Sequence, residues 1–285
     1  MSLKQTALAE GTEAEFMYLY QANAPLSVRT ELGITTTRIG GGVALSMRED
    51  PTDFWSKALG FGFEEPVTAA LVDRILDFYR GEGSTGATLQ FAPSVLPSDW
   101  DDIRATHQLR EGGRIVKLWC PIDDFSPGAT GLRVGPVAPG DAQEWASVVT
   151  RGFDMPEKGI AEMLAAGVEH PDTRPFAVWD GDRMVAGANL FVHGEVGSLN
   201  SGSTLPEYRN RGAQSALLAI RAKEAANAGC RWLVAETGQP ATGGVNPSLN
   251  NMIRAGLRPL YTRQNWLWRP DAALGSPGTA FPAAP

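Results

Sequence analysis

Apolar residues along the chain recur at helical spacing in some stretches and run together or alternate in others, with glycine and proline marking the breaks. Residues 3–22 predict a helix. Residues 33–47 predict extended chain, interrupted by Gly40-Gly41-Gly42, which reads as a bulge or turn because no helix start follows it. Val67, Leu71, Ile75 and Phe78 predict a helix opened by Pro66 and closed at Gly81. A strand over 87–92 comes next, then a shorter helix from an N-cap at Ser98 toward Arg110. Gly112-Gly113 is expected to end that helix before an apolar strand over 115–120.

The second half begins after 121–131, a stretch with Pro121, Pro127, Gly128 and Gly131 that reads as a linker. A strand over 132–137, a helix capped by Asp141 and a helix opened by Pro156 follow. Residues 175–180 and 183–192 predict a hairpin around Gly181-Asp182. After a turn at Gly194, the strand 196–205 is rich in Ser and Gly, a composition that suits close approach of a ligand to the backbone. Ala213, Ala216, Leu217 and Ile220 then mark a helix that Gly229 ends, and a strand over 231–236 succeeds it. A short helix from Asn246 or Ser248 to Gly256 and a closing strand or hairpin over 257–268 complete the pattern.

Both halves thus end in helix, strand, helix, glycine and aromatic strand: Trp119 closes one, Trp266 and Trp268 the other. The repeat predicts two domains of similar architecture, 1–120 and 132–269, joined by the linker 121–131 and followed by a mobile Pro-, Ala- and Gly-rich tail, 270–285. The length, 285 residues, fits two domains, and the 43% apolar content is enough for a core in each.

Charge and cysteine usage narrow the function. A formal net charge of -7 argues against sequence-independent nucleic-acid binding, which needs a dense cationic surface. Any anionic ligand must therefore meet a local site. Cys120 and Cys230 read as free thiols in a reducing compartment, and the start of the chain carries no apolar run long enough for a signal sequence or membrane span. A cytoplasmic protein without membrane or nucleic-acid partners is expected.

The local site is a strand, a short Arg/Gly loop and a helix start: Arg209-Asn210-Arg211-Gly212-Ala213-Gln214. Unpaired N–H groups and the positive end of the helix dipole converge on one spot there, Arg209 and Arg211 add donors, and Gly212 and Ala213 let a diphosphate approach closely. Taken alone, an Arg-rich turn before a helix is more often a solvated cap.

In this context the loop resembles that of the GNAT superfamily of acyl-CoA dependent N-acetyltransferases, which reads Gln or Arg, two residues, Gly, one residue, then Gly or Ala. The resemblance covers about 132–269, with Gln214 departing from the final small residue. It implies an α/β (α+β) fold of tandem GNAT-like domains, each a mixed, mostly antiparallel sheet flanked by helices, the first degenerate. It implies acetyl-CoA as co-substrate, no metal, and an acyl-pantetheine arm lying between two splayed strands and bonded at Gly202, Ser203 and Thr204. Glu236 resembles the position where some members keep a base, and Asn246 would bond the arm or a catalytic water. The general acid is missing: Met252 stands where many members have a tyrosine, with Tyr208 and Tyr261 as unplaced substitutes. His193 abuts Gly194 and reads as a turn residue.

The first half has Gly60-Phe61-Gly62-Phe63-Glu64-Glu65-Pro66 at the equivalent place, where two glutamates would repel a pyrophosphate. Trp55, Phe61 and Phe63 read as core. The expected activity is transfer of an acetyl group to a primary amine of a small molecule or peptide. A non-catalytic acyl-CoA sensor and a tandem-domain aminoacyl transferase stay open as alternatives, and the acceptor and oligomeric state are not legible.

Overall fold

The computed structural model describes residues 2–128 and 131–270; apart from Pro270, the expected tail lies outside them. Two compact units emerge, one holding residues 2–22, 26–115 and 261–270, the other 23–25, 116–128 and 131–260.

In the first unit, α1 (Leu3–Ala22) and α2 (Leu26–Leu32) precede an antiparallel hairpin of β1 (Ile34–Ile39) and β2 (Gly42–Met47). Gly40 and Gly41 form its two-residue turn with φ of +52° and +84°, a conformation that favours glycine. β3 (Lys57–Leu59) pairs antiparallel with β2 and parallel with β4 (Ala87–Gln90), and the crossover carries α3 (Ala69–Gly81). α4 (Trp100–Thr106) and β5 (Arg110–Pro121) end the first repeat.

The second repeat follows β6 (Arg133–Pro136). It has α5 (Ala142–Gly152), α6 (Ile160–Gly167), the antiparallel meander β7 (Thr173–Asp180), β8 (Arg183–His193) and β9 (Val196–Thr204), then α7 (Ala213–Asn227), β10 (Trp232–Gly238), α8 (Pro247–Arg254) and β11 (Arg258–Trp268). The second unit's strand order is β6-β7-β8-β9-β10, with residues 116–121 of β5 beside β10. Leu190, Leu217, Leu233 and Leu257, all 0–1% exposed, centre its core. The fold is a mixed, mostly antiparallel α/β arrangement repeated twice.

The expected cut after residue 120 differs from the compact units. Both closing strands are exchanged: β11 from Tyr261 onward lies in the first unit, antiparallel to β4 with Asn265 opposite Gln90, while residues 116–121 of β5 lie in the second. Trp266 meets Trp100 edge-on at 5.3 Å in the first unit, and Trp119 meets Trp232 at 5.0 Å in the second. A charged lock accompanies the exchange. Arg263, fully buried, donates to Glu10 at 2.5 Å and Glu13 at 2.9 Å on α1, and the Tyr261 hydroxyl donates to Glu10 at 2.5 Å. Removing one partner from such a buried group is typically costly, about 3–5 kcal/mol.

Several boundaries also move. α3 starts after Thr68, not at Pro66, because Thr68 is extended (φ -134°, ψ 165°) and its Oγ1 accepts from Leu71 N at 3.2 Å. α4 starts at Trp100 behind Asp99 rather than from a cap at Ser98. Gly159, at φ +77°, breaks the run between Pro156 and the start of α6. Gly112 and Gly113 lie inside β5 rather than at a helix end, Gly112 O accepting from Gln264 Nε2 at 2.7 Å. The first residues of the expected linker are packed: Ile122 N donates to Arg231 O at 3.0 Å and Ser126 N to Ala255 O at 2.9 Å. Cys120 and Cys230 are free and buried, and burial pushes the Cys120 thiol up to about 12.

Candidate functional site

β9 and β10 are parallel neighbours over Trp232–Val234 opposite Val196–Ser198 only, although β9 continues to Thr204 and β10 to Gly238. Beyond Ser198 the two strands part. In the same stretch β9 is bulged against β8: Asn189 faces Asn200 and Gly187 faces Ser203, so Ser201 and Gly202 stand opposite the single residue Ala188. Ser201 takes φ +52°, unusual for a residue with a side chain.

The chain leaves β9 through a 3-10 turn, Pro206–Tyr208, and enters α7 through the Arg/Gly loop. Asn210 and Gly212 are left-handed, at φ +63° and +87°. Gly212 is the N-cap and offers no side-chain bond to the first turn; its carbonyl accepts from Ala216 N at 3.0 Å. The amides of Ala213, Gln214 and Ser215 therefore head the helix without a capping side chain, the arrangement that attracts an anion.

The two arginines of the loop differ. Arg209 turns back, donating through Nη2 to Gly152 O at 2.9 Å and through Nε to Thr204 O at 3.2 Å, so it caps the C-terminal end of α5 and ties it to β9. Ser203 makes a parallel tie, its Oγ donating to Val149 O at 3.0 Å. Arg211 stays 58% exposed, its guanidinium 5.2 Å from the Tyr208 ring and 3.7 Å from Asp180. Tyr208 OH accepts from Arg183 at 3.2 Å.

Gln214, the departure from the family pattern, points its amide at α8. Its Nε2 donates to Ser248 Oγ at 2.8 Å and its Oε1 accepts from Asn251 Nδ2 at 2.6 Å. It joins the two helices that flank the opening strands. Asn246 is similarly occupied: its Oδ1 caps α8 by accepting from Leu249 N at 3.1 Å, and its Nδ2 donates to Gly238 O at 2.8 Å and Thr237 Oγ1 at 3.0 Å. These bonds tie the start of α8 to the end of β10.

Glu236, on β10, is 31% exposed and accepts at 2.7 Å from Lys117 Nζ, whose side chain is 3% exposed. Lys117 was hidden in an apolar strand. Met252 is buried in the core, and Ile253 beside it is exposed. Tyr261 belongs to the first unit, where burial and then the charge of Glu10 push its hydroxyl pKa up, the opposite of what a proton donor needs. His193 is exposed at the end of β8, before the left-handed Gly194.

Beneath the bulge lies Arg221, 3% exposed, bonded to the carbonyls of Leu217, Asn189 and Asn200. Burial pushes its guanidinium pKa down to about 9. Its sequence signal was a charge on the apolar stripe of α7, four residues after Leu217 and four before Ala225. Among the described residues no group of three or more His, Cys, Asp or Glu is arranged to hold a metal, and no helix is long and apolar enough to cross a membrane.

Splayed parallel strands, a bulged first strand and an uncapped helix start after an Arg/Gly turn are the features of a GNAT-like fold. Residues 142–239, within the second unit, match the acetyltransferase (GNAT) domain family model. Among solved structures the chain is similar to a GCN5-related N-acetyltransferase from Kribbella flavida, with a TM-score of 0.61 and 16% identity over 93% of this chain and 96% of that one. It is similar to one from Sphaerobacter thermophilus, with a TM-score of 0.57 and 15% identity over 83% and 76%. A tandem GNAT protein from the clavulanic acid biosynthesis pathway gives 0.56 and 14% over 95% and 96%. These likenesses show a tandem GNAT fold. No curated protein matches the chain.

Proposed function

We propose that the protein is an N-acetyltransferase that moves an acetyl group from acetyl-CoA to a primary amine of a small molecule or peptide by direct attack. The observation that carries the reading is the start of α7, where a glycine cap leaves the first-turn amides uncapped at the end of the parting strands β9 and β10. The diphosphate of the co-substrate would lie on the amides of 212–215 with Arg211 as the charged side-chain donor, and the backbone of Gly202, Ser203 and Thr204 would receive the pantetheine arm. Asn210 supplies the left-handed bend that turns Arg211 outward, and Ala213 keeps the helix start close.

Amine attack on the thioester carbonyl forms the C–N bond and expels the CoA thiolate, and the amine must lose a proton on the way. Glu236 receives that proton, directly or through water, because its carboxylate is half-buried at the parting end of β10. The thiolate leaves without a dedicated acid. CoA release from acetyl-CoA with a panel of primary amines, followed by mass analysis of the products, tests the reading. Turnover with an amine supports it; tight acetyl-CoA binding without CoA release across the panel supports the non-catalytic alternative, which the ion pair between Lys117 and Glu236 favours by giving Glu236 a structural use.

A further inference from the structure

Arg221 poses an energetic question. A guanidinium 3% exposed costs several kcal/mol to desolvate unless charge or hydrogen bonds compensate. Among the described residues no carboxylate pairs with it, and its donors go to carbonyl oxygens: Leu217 at 3.0 Å, Asn189 at 3.0 Å and Asn200 at 3.2 Å. Asn189 and Asn200 are the facing pair at which the β8–β9 register slips. A bulge interrupts the regular strand-to-strand bonds, so buried carbonyls beside it need another donor, and Arg221 serves both strands with one nitrogen.

Side chains reinforce the same spot. Asn189 Nδ2 donates to Asn200 Oδ1 at 3.0 Å, the Ser201 hydroxyl donates to that oxygen at 3.3 Å, and Asn200 Nδ2 donates to Ser198 Oγ at 3.3 Å. The left-handed backbone of Ser201 is thus held by its surroundings rather than by its own preference.

We propose that Arg221 is a positioning residue for acyl-CoA: its guanidinium fixes the β9 bulge at Ser201-Gly202, so that the strand's backbone groups are set to receive the pantetheine arm. The inference rests on the acyl-CoA reading above. Arg221 itself lies under the strand and touches no substrate.

Calorimetric titration of the full chain with acetyl-CoA and with ADP, which offers a diphosphate but no pantetheine, separates the bulge from the phosphate cradle. Arg221→Met should weaken acetyl-CoA binding by about tenfold or more and change ADP binding by less than about twofold. Arg221→Lys, which keeps a cationic donor, should recover part of the loss, and amide exchange at 200–203 should quicken in the Met variant. Should Arg221→Met fail to fold, Asn200→Ala loosens the same bulge without touching the buried charge and should give the same split. A folded variant with unchanged acetyl-CoA affinity, or with equal losses for both ligands, would overturn the proposal. A wild-type protein that binds neither ligand would remove the acyl-CoA reading and this inference with it; wild-type binding with unaltered variants removes only the role of Arg221.

Discussion

After β9 the chain reaches α7 through a cap, Gly212, that offers no side chain to the first turn, whereas after β3 it reaches α3 through Thr68, whose hydroxyl already accepts from Leu71 N at 3.2 Å. The turn after β3 is also filled. Phe61 is 1% exposed and packs edge-on against Phe91 with centroids 6.1 Å apart. A Cβ on Gly60 would meet Ala14 at 2.8 Å, and one on Gly62 would meet Val95 at 2.6 Å. Glu65 is paired with Arg74, so no cation is left to greet an anion in that turn from this pair. The same supersecondary unit thus serves packing in the first repeat and leaves the helix start without a capping side chain in the second. On the proposed reading, topology supplies a place for a phosphate, and the cap residue decides whether it is open.

The largest expected effect separates Glu236 from its structural partner. Glu236→Gln should lower kcat roughly 10²- to 10⁴-fold with acetyl-CoA affinity little changed, the range for loss of a general base. Lys117→Met, which breaks the same ion pair but keeps the carboxylate, should affect stability more than turnover. If both variants lose stability and neither loses turnover per folded molecule, Glu236 holds β10 in place and nothing more.

The two arginines sharpen the contrast between the turns at the next level. Arg211→Ala should weaken acetyl-CoA binding by about 1–3 kcal/mol and leave the denaturation midpoint near that of the wild type. Arg209→Ala should do the reverse in stability, costing about 1 kcal/mol by freeing the α5 carbonyl at Gly152. A titration and a urea melt of each variant distinguish the roles; identical losses of affinity for both would put Arg209 on the phosphate.

The smallest effect is expected in the first repeat. Thr68→Gly imitates Gly212 at the start of α3 and should cost only about a few tenths of a kcal/mol. No second acetyl-CoA should bind, because Phe61 and Val95 still occupy the turn. Calorimetry showing two bound ligands per chain in this variant would mean that the cap alone makes the site.

The repeat, the hairpins and the loop that opens α7 were legible in the sequence because each is local: glycine at a turn, apolar residues at helical spacing, and a helix start after an Arg/Gly run. Strand exchange was not, since Trp119, Trp266 and Trp268 mark closing strands without saying which neighbour each strand chooses. Arg263 is equally silent, because its partners Glu10 and Glu13 lie on α1, at the other end of the chain. Gln214 departs visibly from the small residue of the family pattern, but its partners Ser248 and Asn251 on α8 are not legible from that departure. Of the signals at Asn246, the cap of α8 is local and is present. Arg221 and Lys117 each interrupted an apolar run, a visible anomaly whose partners lie on strands distant in sequence.

The central claim is that one repeat holds an acyl-CoA site and the other has closed it. Calorimetric titration of acetyl-CoA into the wild-type chain and into Gly212→Val tests it most directly, because a β-branched side chain at φ +87° both strains the cap and covers the first-turn amides. The account predicts one bound acetyl-CoA per wild-type chain and none in the folded variant. Two equivalent sites in the wild type, or full affinity retained by a folded Gly212→Val, would contradict it.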